Sequence, residues 1–236
     1  MSVRGSTSGS VRERRRAETV QEIKAAALDQ LAQGGELSLR AVARAVGMTV
    51  QSLYHYFDSR DALLGALVVD GHNRLTAAVQ EAADASRGRP HAERLFAVTN
   101  AYRTWALANR HEFLLLYGTP VPGFAAPASG PWGEAAYRLS EPFREVVFEG
   151  WTAEELAAIP LQSGADRLAD ADATIMPLPI GALALFYELR ARMHGLVILE
   201  LFGHLVPLSG YGEELFRDAM SRAAGELAAL RATLRR

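Results

Sequence analysis

The sequence predicts an all-α chain, and three observations predict it. Apolar residues recur at helical spacing along nearly the whole chain, with no convincing period-two alternation and no internal repeat, which gives about nine helices. Two short amphipathic segments, "LSLRAVARAVG" and "GMTVQSLYHYF", meet at Gly47. Basic charge is segregated: residues 1–60 hold nine basic and six acidic side chains, and the remainder sixteen and twenty-one. Only the N-terminal part, at +3 against −5, suits a polyanion.

Taken in order, the opening "MSVRGSTSGSVRERRR" is Gly/Ser-rich and then basic, and residues 1–11 are expected to form a disordered basic arm, able to bring Arg to a minor groove or a phosphate. A solvated tail is the alternative. The first helix runs from about Arg12 to Gln33 with Val20, Ile23, Ala27 and Leu31 on one stripe, and Gly34 and Gly35 end it. Ser38 caps the second, where Leu39, Val42, Ala43 and Val46 stand at i, i+3, i+4 and i+7. Gly47 takes the C′ position. The third helix sets Leu53, Tyr54 and Phe57 on one face, with Leu53 and Phe57 packed on the second helix, while Thr49, Gln51, Ser52 and His55 face elsewhere. Two such helices joined by a Gly turn fit a helix-turn-helix over residues 12–57, the second helix offering polar side chains to a major groove.

Asp58, with Asp61 three residues on, is the expected N-cap of a helix to about Ser86 that links this domain to a second one, so that residues 58–236 form the C-terminal domain. Further helices are expected near 90–108, 110–117, 132–149, 152–159, 179–206 and 211–234. Two breaks, "GTPVPGFAAPASGPWG" and "SGADRLADAD" running into "MPLPIG", read as mobile or ligand-facing loops.

With 236 residues, 49% of them hydrophobic and 22% charged, the chain can bury a sizeable core in one or two domains. It has no cysteine, hence no disulfide and no thiolate metal site, and a cytoplasmic location is expected. The most apolar stretch, Gly195 to Val206, is shorter than the ~20 residues of a membrane span and contains Glu200 and His204. Catalytic patterns fail. "HEFLL" has Leu115 where a zinc helix needs its second His, "GSTSG" is no nucleophile elbow, and His194 and His204 lack a carboxylate at ligand spacing. No metal, no cofactor and no enzymatic activity are expected.

The run "LSLRAVARAVGMTVQSLYHYFDSRDALL" resembles the DNA-binding signature of the TetR family of bacterial transcriptional regulators. Val42-Ala43, Gly47, Leu53-Tyr54, Phe57, Ser59, Asp61 and Leu63 agree with it, and Arg60 stands where Lys is usual. The resemblance implies that Arg40, Val50, Gln51 and His55 face base edges, whereas Ser52, Tyr54, Tyr56 and Arg60, with Thr49 beside them, meet the DNA backbone. The chemistry agrees: Gln pairs with adenine, Arg with guanine, Val with a thymine methyl, and hydroxyls and cations hold phosphates. For Val50 burial beside Tyr54 is the alternative, and for His55 a plain surface position.

Farther along, "AYRTWALANRHEFLLLYGTPVPGF" and "RARMHGLVILELFGHL" are similar to TetR-like ligand-binding domains. Tyr102 and Trp105, Phe113 and Tyr117, and Tyr187 and His194 stand at helical spacings, either as core or as the wall of a small-molecule cavity. The last two helices carry apolar stripes, Leu196, Leu199, Phe202 and Val206 on one and Leu215, Met220, Leu227 and Leu230 on the other. They suit a four-helix dimer bundle, with Gly195 and Gly203 permitting close approach, unless one helix plugs its own domain. The resemblance therefore implies a homodimeric repressor that binds a near-palindromic duplex DNA operator and is released by a small-molecule effector. The alternative is a DNA-binding regulator without such a ligand.

Overall fold

The computed structural model describes residues 7–34, 36–118, 130–161 and 176–236, with side chains from Ser10 onward. Both Gly/Pro-rich and acidic breaks lie mostly outside the described residues. Ten α-helices and no strand are found among those residues. They are α1 (Thr7–Ala32), α2 (Leu39–Val46), α3 (Val50–Tyr54), α4 (Arg60–Ala85), α5 (His91–Ala108), α6 (Arg110–Tyr117), α7 (Pro131–Val147), α8 (Ala153–Ala157), α9 (Ile180–Leu201) and α10 (Gly212–Leu234). A 3₁₀ turn at Val206–Leu208 precedes α10.

The described residues of Met1–Gly71 and His111–Pro127 form one compact unit, and those of His72–Arg110 and Ala128–Arg236 the other. The division thus falls inside α4 and assigns α6 to the first unit, where the sequence pattern sets the boundary at Asp58. The first core shows why. Ile23 and Ala27 of α1, Val42 and Ala43 of α2, Leu53 and Phe57, and Leu63, Leu64 and Leu67 of α4 make one buried cluster, and Leu115 of α6 packs against it. Leu116 also lies against Gly71, where an added Cβ would come within 3.1 Å of its Cδ2. Lys24 of α1 binds Asp70 of α4 at 2.7 Å across the same unit.

In the second unit α5 packs against α7, α9 and α10, α10 against α9, and α8 against α9. Its interior is built by residues such as Leu95, Val98, Tyr102, Leu139, Val146, Phe186, Met193, Val197, Phe216 and Met220. A partly buried ion pair crosses it, Arg103 Nε donating to Glu200 Oε2 at 2.7 Å and Nη2 to Oε1 at 2.5 Å. Thr152 and Glu155 form a capping box on α8, and Arg231 of α10 and Arg235, the residue that follows that helix, both bind the Glu155 carboxylate.

Three boundaries differ from those the sequence predicts. The first helix begins at Thr7, so residues 7–11 are helix and not a disordered arm. Ser59, not Asp58, caps α4: its Oγ accepts from the Ala62 N–H at 3.0 Å. The ninth helix stops at Leu201, five residues before Val206, because Gly203 turns left-handed at φ 74°. Its N–H then bonds the Glu200 carbonyl, and that of His204 the Leu199 carbonyl, which closes a Schellman motif. Gly203 is thus a helix stop, placed beyond the end of the helix.

Candidate nucleic-acid interface

The turn between α2 and α3 is built from local chemistry. Ser38 caps α2, its Oγ accepting from the Ala41 N–H, and Gln30 of α1 clamps the turn before it through the Ser38 N–H and the Glu36 carbonyl. At the far end Gly47 adopts φ 76° and ψ 28°, a conformation costly for any residue with a Cβ. Its N–H bonds the Arg44 carbonyl at 3.2 Å and that of Met48 the Ala43 carbonyl at 2.9 Å, again the Schellman pattern. Thr49 then caps α3, accepting the Ser52 N–H at 3.0 Å, while the two hydroxyls lie 2.8 Å apart. Leu53, fully buried, and Phe57 anchor the helix in the core.

This anchoring leaves a polar surface. Arg40, Thr49, Gln51, Tyr54 and His55 are exposed, and Ser52 is half-buried beneath them. Val50 packs partly against the core cluster, in keeping with the burial alternative. Tyr56 is also partly buried there, and the Arg16 guanidinium lies 4.9 Å from its ring centroid. Arg60 turns back, its Nε donating to the Leu37 carbonyl at 3.1 Å, with Asp61 3.7 Å from Nη1. It ties the start of α4 to the approach to α2, a role the spacing alone does not reveal. Nor does the sequence pattern single out Arg16, because only the fold brings it to His55 and Tyr56.

Of the six residues expected to line a ligand site, Tyr102, Trp105, Tyr187 and His194 belong to the second unit and Phe113 and Tyr117 to the first. Tyr102 OH and His194 Nδ1 are 2.8 Å apart in the second unit. Burial first, and then the nearby Arg190 cation, hold the His194 imidazole below its ordinary value. Trp105 is half-buried. Phe113 and Tyr117 pair with ring centroids 5.1 Å apart, but in the first unit. Tyr187 is 49% exposed, whereas its neighbour Phe186 is buried and faces a cavity. The second unit does contain a cavity, of about 20 Å³, between Tyr102, Leu139, Phe143, Phe186, Leu189 and Met193. Phe186, Leu189 and Met193, at i, i+3 and i+7, are the stripe that could have pointed to it. Among the described residues no His/Asp/Glu cluster could hold a metal ion, and no helix is long and apolar enough to cross a membrane.

Comparison with known proteins places these elements. Residues 23–67 match the family model of bacterial regulatory proteins of the tetR family, and residues 95–223 the model of the tetracyclin repressor-like C-terminal domain. The HTH-type transcriptional regulator Rv1816 of Mycobacterium tuberculosis is 31% identical over 188 residues, covering 77% of this chain and 76% of the relative. Mb1846 of Mycobacterium bovis matches equally. The solved structure of the regulatory protein SCO4313 superposes with a TM-score of 0.74 at 29% identity, over 90% of this chain and 98% of that one. A Rhodococcus sp. RHA1 protein of unknown function does so at 0.63 and 25%, over 89% and 93%. The chain belongs to the TetR family of bacterial transcriptional regulators, and is accordingly a DNA-binding regulator and not an enzyme.

Proposed function

We propose that the chain is a cytoplasmic, homodimeric repressor that reads a near-palindromic operator through α3 and leaves it when a small molecule binds the C-terminal part. The observation that carries the DNA half is the exposed set Arg40, Gln51, Tyr54 and His55 around a helix capped by Thr49 and anchored by Leu53. Gln51 and Arg40 supply base-edge donors, and Tyr54, Ser52 and Thr49 hydroxyls that suit phosphates. Members of the family typically bind DNA as dimers. Exposed Leu199, Phe202 and Val206, and a groove of about 130 Å³ between α9 and α10 that includes Leu185 and Leu230, support a dimer here.

The size of the cavity favours a second reading. About 20 Å³ holds a single water, whereas pockets for drug-sized molecules measure ~300–1,000 Å³. A regulator whose C-terminal part only dimerises, or binds a protein, needs no larger space. Where the ligand enters this cavity, Phe143, Phe186 and Met193 must move apart, so that it selects a more open conformation.

Footprinting on the DNA flanking its own coding region, with and without a library of small apolar molecules, tests both. The first reading expects a protected near-palindrome with half-sites about one helical turn apart, lost in the presence of a hit. Protection that no molecule relieves selects the second. Protection of a single half-site by a monomer removes the dimer from either.

A further inference from the structure

The N-terminal turns of α1 carry Arg12, Arg14, Arg15 and Arg16, a run that charge alone reads as phosphate ligands. Arg16 is engaged otherwise. Its Nη2 donates to the His55 carbonyl at 3.0 Å, thirty-nine residues away, and its guanidinium carbon stands 4.9 Å from the centroid of the Tyr56 ring. His55 is the C-cap of α3. Carbonyls at a helix C-terminus have no partner in the ladder and hold the negative end of its dipole, so a cation that bonds one there is doubly favourable.

The length of α3 gives this contact its weight. Five residues make little more than one turn, far below what sustains a helix by itself. Thr49 fixes its start, and Leu53 its buried side. Its exit, where His55 and Tyr56 stand, has Arg16 across it. We propose that Arg16 is a positioning residue for DNA binding: it pins the exit of the recognition helix, and with it His55 and Tyr56, and does not itself meet a phosphate. This rests on the DNA-binding role of the family and not on the repressor or effector reading.

Salt dependence separates positioning from contact. Each phosphate contact contributes about 0.9 to the slope of log affinity against log salt on duplex DNA. Affinity is measured by fluorescence anisotropy over a series of salt concentrations, with the duplex that the wild-type protein selects from a random pool. Arg16→Ala is expected to bind about tenfold more weakly, from loss of one charged hydrogen bond and one cation–π contact, with an unchanged slope and the same base preference. Amide exchange should quicken at Leu53 to Phe57 and stay constant at Ile23 and Leu64. Arg16→Lys keeps the charge but cannot both lie flat on the ring and reach the carbonyl, so it is expected to recover only part of the affinity. Arg16→Gln keeps a donor for the carbonyl and is the variant to use if Ala unfolds the unit. The proposal is overturned by a slope lower by about 0.9 in the Ala or Gln variant, by full recovery with Lys, or by unchanged affinity.

Discussion

Replacing Gly47 probes the turn that sets α3 in place. At φ 76° and ψ 28° a residue with a Cβ is strained by about 1–2 kcal/mol. A Cβ built there meets nothing within 4 Å, so no clash adds to the strain and no contact offsets it. Gly47→Ala should therefore destabilise the first unit by about 1 kcal/mol and Gly47→Val by about 2, a five- to thirtyfold change in its opening equilibrium. Gly47→Asn should cost least, since Asn enters this region with local hydrogen bonding. All three tryptophans, Trp105, Trp132 and Trp151, belong to the second unit, so their fluorescence is the wrong probe and a useful control. Amide exchange at Val42, Ala43 and Leu53 should accelerate by the stated factor while the tryptophan-monitored transition stays fixed. Equal exchange in wild type and the Ala variant, or a cost for Asn as large as for Val, would refute the strain argument.

Gln51→Ala should change the preferred operator sequence in a selection experiment, whereas Arg60→Ala, which also frees the Leu37 carbonyl, should weaken all sequences by a similar factor. Because His194 titrates below 6.5 in the folded chain, the unfolded chain takes up the proton more readily; stability should be level above that pH and fall below it, and His194→Gln should flatten the dependence of the melting temperature on pH between about 5 and 7. Glu200→Gln leaves Arg103 with a mostly buried charge and no carboxylate opposite, at an expected cost of about 3 kcal/mol in tryptophan-monitored unfolding; Arg103→Met with Glu200→Leu should cost clearly less.

The parts of the fold legible in the sequence are those that local chemistry decides. Gly47 could be placed because only glycine takes a left-handed C′ at no cost, and Ser38 because a hydroxyl before an apolar stripe is a cap. Spacing marks the face of Leu53 and Phe57 but also puts Tyr54 on it, and Tyr54 is exposed. The misplaced boundaries have tertiary or competing causes. Nothing in "GSTSGSV" marks a helix, and α1 begins there nonetheless. At "FDSRD" both Asp58 and Ser59 can cap, and the choice is one of register. Within the site, exposure of Gln51 and His55 was readable from the period, but the inward turn of Arg60 and the reach of Arg16 were not, because each depends on a carbonyl far along the chain.

The apolar stripes of the last two long helices carry that lesson furthest. Period shows that a face is apolar and says nothing of which chain covers it. Leu227 and Met220 prove to be buried within their own unit, as is Leu201 beside the Leu199 and Phe202 stripe. Leu199, Phe202 and Val206 remain on the surface, Val206 at 73% exposure, and Leu215 and Leu230 are intermediate. A charge at Leu227 would thus be buried inside the subunit and test folding, not association. Charges at Leu199, which is exposed, and at Leu230, which is half-buried, test the proposed dimer surface with less cost to the interior. The residues that can serve the proposed four-helix seam are accordingly those that the chain's own core leaves uncovered.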